Sequence, residues 1–132
     1  MPKNYIFYNN DGKITASIFC KVVEIEYYRQ YGEFIEGSCD IFINYINGNV
    51  IELRPTQETT LSKGNLRSDG IDSITILNAP KGIFTAINML TNDAITGTIE
   101  GTDTFSTTIT GTYKITIESF PYLPFETTIT AV

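Results

Sequence analysis

Apolar residues recur at every second position along most of this chain, the spacing of strands that bury one face. Tyr5-Ile6-Phe7-Tyr8 reads as a strand, Asn9-Asn10-Asp11-Gly12 as a turn, and Ile14-Thr15-Ala16-Ser17-Ile18-Phe19 as the returning strand. Asn, Asp and Gly accept the positive φ values that tight hairpins need. A second hairpin is expected from residues 41–46 and 49–53, with Asn47-Gly48 as its turn. Between the hairpins, Val22–Tyr31 has apolar positions that fit either a helix or a strand. Gly32 follows as a helix stop, so the segment is read as one short helix. Arg54-Pro55-Thr56-Gln57 breaks the pattern, because proline has no N–H for a ladder and keeps the preceding residue extended. The break divides the chain into an N-terminal β-domain, residues 1–54, and a second domain, residues 55–132.

Beyond the break threonine becomes frequent and tyrosine sparse. Strands are predicted at 57–61, 71–77, 82–90, 94–99, 103–109, 111–119 and 125–131. Seven short strands separated by turn residues are the profile of a β-sandwich. Alternation assigns Ile74, Ile76, Phe105, Ile109, Tyr113, Ile115, Ile117 and Ile129 to the buried faces. Tyr113 opens the penultimate strand, where a sandwich places a tyrosine whose hydroxyl ties the chain to upstream backbone. A plain core tyrosine fits the same position. The expected fold class is all-β.

Composition narrows the functions. With 132 residues, 42% hydrophobic and 18% charged, the chain is globular in character. Its apolar runs are too short for a membrane span, and Met1-Pro2-Lys3-Asn4-Tyr5 leads into a strand and not into a signal-peptide core. Neither membrane insertion nor export is expected. The net charge is −6, with both halves acidic and the nine Lys and Arg residues scattered. Nucleic-acid binding needs a basic patch, which this pattern lacks.

Histidine is absent, which removes the commonest general base and metal ligand. A serine or cysteine nucleophile would therefore lack its usual partner, and no catalytic constellation assembles. No cofactor is expected. Cys20 and Cys39 fit no zinc spacing; they read first as reduced thiols behaving as small hydrophobes, with a disulfide as the alternative. Asp69 and Asp72 flank Gly70 in the manner of a turn. A calcium site there would lack the spaced loop such ions use.

Several segments together resemble small tail-associated proteins of bacteriophages. They are the hairpin Tyr5–Cys20, the Arg-Pro hairpin of residues 45–55, the segment Ser68-Asp69-Gly70-Ile71-Asp72-Ser73-Ile74-Thr75-Ile76, and the closing stretch Phe120-Pro121-Tyr122-Leu123-Pro124-Phe125. The Asp-Gly segment is also similar to the second strand of bacterial Ig-like domains. Lys21–Gly37 departs most from this pattern. The resemblance implies an Ig-like sandwich in residues 55–132 and a non-enzymatic virion component near tail, baseplate or tail-fibre assemblies. It also implies multiple copies, assembly in the host cytoplasm, and other phage structural proteins as partners. A capsid decoration or head-fibre protein is the alternative placement. A carbohydrate-binding module for a host surface glycan is the third, against which the missing tryptophan counts.

Two aromatic clusters are the candidate partner interface. Tyr27, Tyr28 and Tyr31 crowd the helical segment, while Phe120, Tyr122, Leu123 and Phe125 fall in the last inter-strand loop. Large aromatics anchor interfaces, and two prolines stiffen the loop. The competing reading is that the loop residues plug the end of the sandwich.

Overall fold

The computed structural model describes residues 1–132 and is all-β, with 54% of the chain in strands and one helical segment. It comprises two compact units, Met1–Pro55 and Thr56–Val132.

In the first unit, strands β1 (Lys3–Tyr8), β2 (Ile14–Cys20) and β3 (Glu33–Glu36) form an antiparallel sheet with β1 at its centre. Both faces of β1 are covered, which explains its unbroken apolar run. Tyr5 and Phe7 pack on one face with Cys20 and Ile25. Ile6 packs on the other with Ile14 and Ile46. The first face is roofed by the helical segment Val22–Tyr31, and the second by a hairpin of β4 (Asn44–Asn47) and β5 (Val50–Leu53).

That hairpin turns one residue later than the sequence pattern suggests. Asn47 pairs with Val50, so the turn residues are Gly48 and Asn49, with φ of 57° and 67°. Both values are positive, as a type I′ turn requires. The later turn sets Ile46 opposite Ile51, and both join the same apolar cluster. A turn at Asn47-Gly48 would have set Ile46 opposite Asn49 instead. Residues 41–43 also leave the expected strand. The Asp40 carboxylate accepts the Phe42 N–H at 2.9 Å, and its carbonyl accepts the Asn44 N–H at 3.0 Å, which fixes a turn there.

The second unit contains β6 (Thr60–Leu61), β7 (Asn65–Leu66), β8 (Ile74–Asn88), β9 (Ala94–Phe105), β10 (Gly111–Glu118) and β11 (Phe125–Ala131). The pairing order is β6-β8-β10-β11-β7, with β9 joined to β8 alone. Four of the expected short strands are therefore two long ones. Residues 71–77 and 82–90 merge into β8, and 94–99 and 103–109 merge into β9. The ladder between them slips at Ile76/Ala79 and again at Ala79/Gly82, with Asn78 at φ 58° and Gly101 at φ 78°. Asn78-Ala79-Pro80 reads as a break in sequence, but a bulge accommodates proline without ending the strand.

Residues from both halves of this irregular hairpin meet in two apolar clusters, with Leu61 and Phe84 packed against both. Ile74 and Phe105 cluster with Ala86, Tyr113, Ile115 and Ile129, and Ile76 clusters with Ile99 and Ile117. Seven of the eight expected core positions are buried. Ile109 is not, being 49% exposed, because β9 ends at Phe105 and its alternation stops there. Its carbonyl has another use. The Tyr113 hydroxyl donates to the Ile109 carbonyl at 2.7 Å and lies 2.8 Å from Thr107 Oγ1, tying this strand to upstream backbone.

Candidate docking surface

The helical segment Val22–Tyr31 is a 3₁₀ helix, and its three-residue turn sorts the tyrosines. Residues three apart line one side, and of that line Ile25, Tyr28 and Tyr31 meet the sheet while Val22 at its start stays exposed. Ile25 is buried, and Tyr28 and Tyr31 each set their rings 6.3 Å from that of Phe7. Tyr27 lies off this line and is 77% exposed. Tyr28 is half-buried and holds the segment down, so of the three tyrosines it is Tyr27 that is offered most fully to a partner.

Other apolar side chains close to Tyr27 in sequence are also exposed. Val22 and Val23 are exposed at the start of the same helical segment, and Phe19 is exposed at the end of β2. Phe19 pairs with Asn4 and so stands on the Ile6 side of the sheet, the face opposite the helical segment. These three are missing from the expected interface because period alone assigns an apolar residue of a strand or helix to a buried face. Their polar company is Arg29, which pairs with Glu26 at 3.5 Å and lies over the Phe34 ring at 5.4 Å.

The closing loop is packed more tightly than expected. Phe120, Tyr122 and Leu123 are half-buried, and Phe125 packs against the Ile76, Ile99 and Ile117 cluster. Buried Gln57 clamps the loop, its side-chain amide donating to the Leu123 carbonyl at 3.0 Å and to that of Ile117 at 2.8 Å. Tyr122 closes a turn through its N–H to the Ser119 carbonyl at 2.7 Å. These contacts correct the expectation of an exposed aromatic loop. Two residues of the expected linker, Pro55 and Gln57, thus differ in role: Gln57 is an internal strut.

Asp69 and Asp72 build a turn. Asp69 Oδ1 accepts the N–H groups of Ile71 and Asp72, each at 2.8 Å. Asp72 accepts Lys63 Nζ at 2.6 Å and the Arg67 N–H at 2.8 Å. Backbone donors hold the Asp69 carboxyl below the usual range, and Lys63 with the Arg67 amide does the same for Asp72. These carboxylates are already engaged by the protein's own donors. A carboxylate depressed on folding stabilises above its unfolded pKa, about 3.9, and loses that contribution as pH falls through the folded value. Asp72→Asn is therefore expected to melt below the parent at pH 7 and to match it under strongly acid conditions. Paired thermal melts across that range check this; a deficit that persists unchanged in acid would contradict it.

Both cysteines are free. Cys20 packs beside Tyr5 and Phe7, and Cys39 packs on the opposite face of the sheet beside Ile6 and Ile46. Burial raises both thiols, with Glu24 adding to the effect at Cys20 and Asp40 at Cys39.

No protein-family model, curated protein or solved structure matches this chain.

Proposed function

We propose that the chain works by being bound, as a non-enzymatic structural protein of a bacteriophage particle. In this reading it sits in a tail, baseplate or tail-fibre assembly, its second unit is an Ig-like sandwich, and it docks other virion subunits. The sequence resemblance supports the phage setting. The observation that carries the docking role is the exposure of Val22, Val23 and Tyr27 on the helical segment, each 65–78% accessible within six residues of chain. Covering such groups with a partner stabilises assembly by about 25 cal/mol per Å² of apolar area, less the cost of association.

The test is a double variant, Val23→Ser with Tyr27→Ser. Both side chains are exposed, so the melting curve is expected to stay within about 0.5 kcal/mol of the parent. Incorporation into particles, measured by mass spectrometry of separated heads and tails, should fall about tenfold, the equivalent of roughly 1.4 kcal/mol. Normal incorporation of the folded variant would overturn the docking role. Recovery of the parent chain in the head fraction alone would overturn the tail placement.

A further inference from the structure

The second unit carries a long strand that nothing pairs on one side. Its terminal strands β6 and β7 are two residues each, the short kind that resists further pairing. β9 runs for 12 residues and bonds to β8 alone. The Asn88 N–H bonds to the Asp93 carbonyl at 2.9 Å, which sets the phase of the ladder. With Ala86 opposite Ile95 and Phe84 opposite Gly97, the backbone groups of Ile95 and Gly97 face β8. Those of Ala94, Thr96 and Thr98 face outwards.

Beside this edge lies a groove of about 290 Å³, lined among others by Ile76, Phe84, Ile95, Ile99 and Phe105. Gly97 forms part of its floor, and a Cβ added there would meet no atom within 4 Å. An open edge supplies main-chain hydrogen bonds, and a groove beside it takes alternate side chains; together they fit an added strand.

The charge of the surroundings selects the strand. No Lys or Arg occurs between Lys81 and Lys114, whereas Asp93, Glu100 and Asp103 lie on β9 or just before it. A second copy of β9 would bring three more acids to this edge and no base, so self-pairing is disfavoured. We propose that β9 accepts an extended basic segment of another protein as an antiparallel or parallel added strand. One apolar side chain of that segment fills the groove over Gly97, and its Lys or Arg residues lie near Glu100 and Asp103. The site belongs to the second unit and stands whether or not the chain is a virion protein.

The probe is a short peptide that alternates Thr with Val or Leu and ends in Lys at both ends, compared with the same peptide ending in Glu. Amide exchange of the full chain is followed by NMR. At a peptide concentration about ten times Kd, exchange at Ala94, Thr96 and Thr98 should slow about tenfold. The Glu-ended peptide should give no such protection. Gly97→Ile fills the groove from open space and should abolish binding with an unchanged melt. Thr96→Pro removes an outward donor and should weaken binding in the same way. The proposal is overturned if the Lys peptide leaves these amides unprotected, or if both peptides bind alike. Equal binding by folded Gly97→Ile would overturn it too, as would a free chain that dimerises through β9.

Discussion

Ile115→Ala should lower the unfolding free energy by about 2–5 kcal/mol, and Lys114→Ala by less than about 0.5 kcal/mol. Ile115 is 1% exposed and packs among Ile74, Ala86, Phe105 and Ile129. Truncation removes its transfer energy and leaves a cavity that paired strands on both sides hold open. β10 is flanked by β8 and β11, with Ile115 opposite Ala86 on one and Thr127 on the other. Lys114 points to the other face. Its ion pair with Glu126, at 3.1 Å, joins two side chains that are 44% and 57% exposed. Such pairs contribute little in water. Urea melts of the two variants decide the matter, and equal losses would refute the assignment of faces.

The second large effect is expected at Gly12. Its φ is 86°, and its carbonyl accepts the Ile46 N–H at 2.9 Å, linking the first hairpin to the second. A Cβ on Gly12 would collide with the Ile46 carbonyl oxygen. Gly12→Ala combines left-handed strain of about 1–2 kcal/mol with loss of that hydrogen bond, another 1–3 kcal/mol or so. The total is roughly 3 kcal/mol. Gly48 also has positive φ, 57°, but a Cβ there meets nothing within 4 Å. Gly48→Ala should therefore show the strain alone, about 1–2 kcal/mol. Six of the eight tyrosines lie in the first unit, so tyrosine fluorescence during a urea melt reports chiefly on it. Equal losses for the two variants would show that the contact with Ile46 carries no weight.

Much of the fold was legible in period-two patterning. The alternation of Tyr113, Ile115 and Ile117 with Lys114 and Thr116 describes a strand with one buried face, and burial follows it along β10. The first hairpin was equally plain, since Asn9–Gly12 could hardly be anything but a turn between two apolar runs. The spacing at Val22–Tyr31 fitted a helix or a strand alike, and only Gly32 after it pointed to a helix. The kind of helix could not be read, and the kind decides which tyrosine is free. An α-helical turn would have grouped Tyr27 with Tyr31, four residues on. The 3₁₀ turn puts Tyr31 on the side of Tyr28, its ring near Phe7, although Tyr31 stays 40% exposed.

The sequence by itself determined that this chain forms strands, where most of them run, and which face of most of them is apolar. These are properties of neighbouring residues, and the local chain carries them. Tertiary structure alone decided how strands join and which apolar groups stay outside. Asn78-Ala79-Pro80 looks like an end of strand until the long ladder with β9 carries it through as a bulge. Gln57 looks like linker until its amide finds the carbonyls of Ile117 and Leu123, sixty or more residues away. Phe19 resembles a core residue until the sheet runs out of cover above it. The edge of β9 is open for the same kind of reason. Whether a strand has a second neighbour depends on the path of every other strand, and no window of sequence records that.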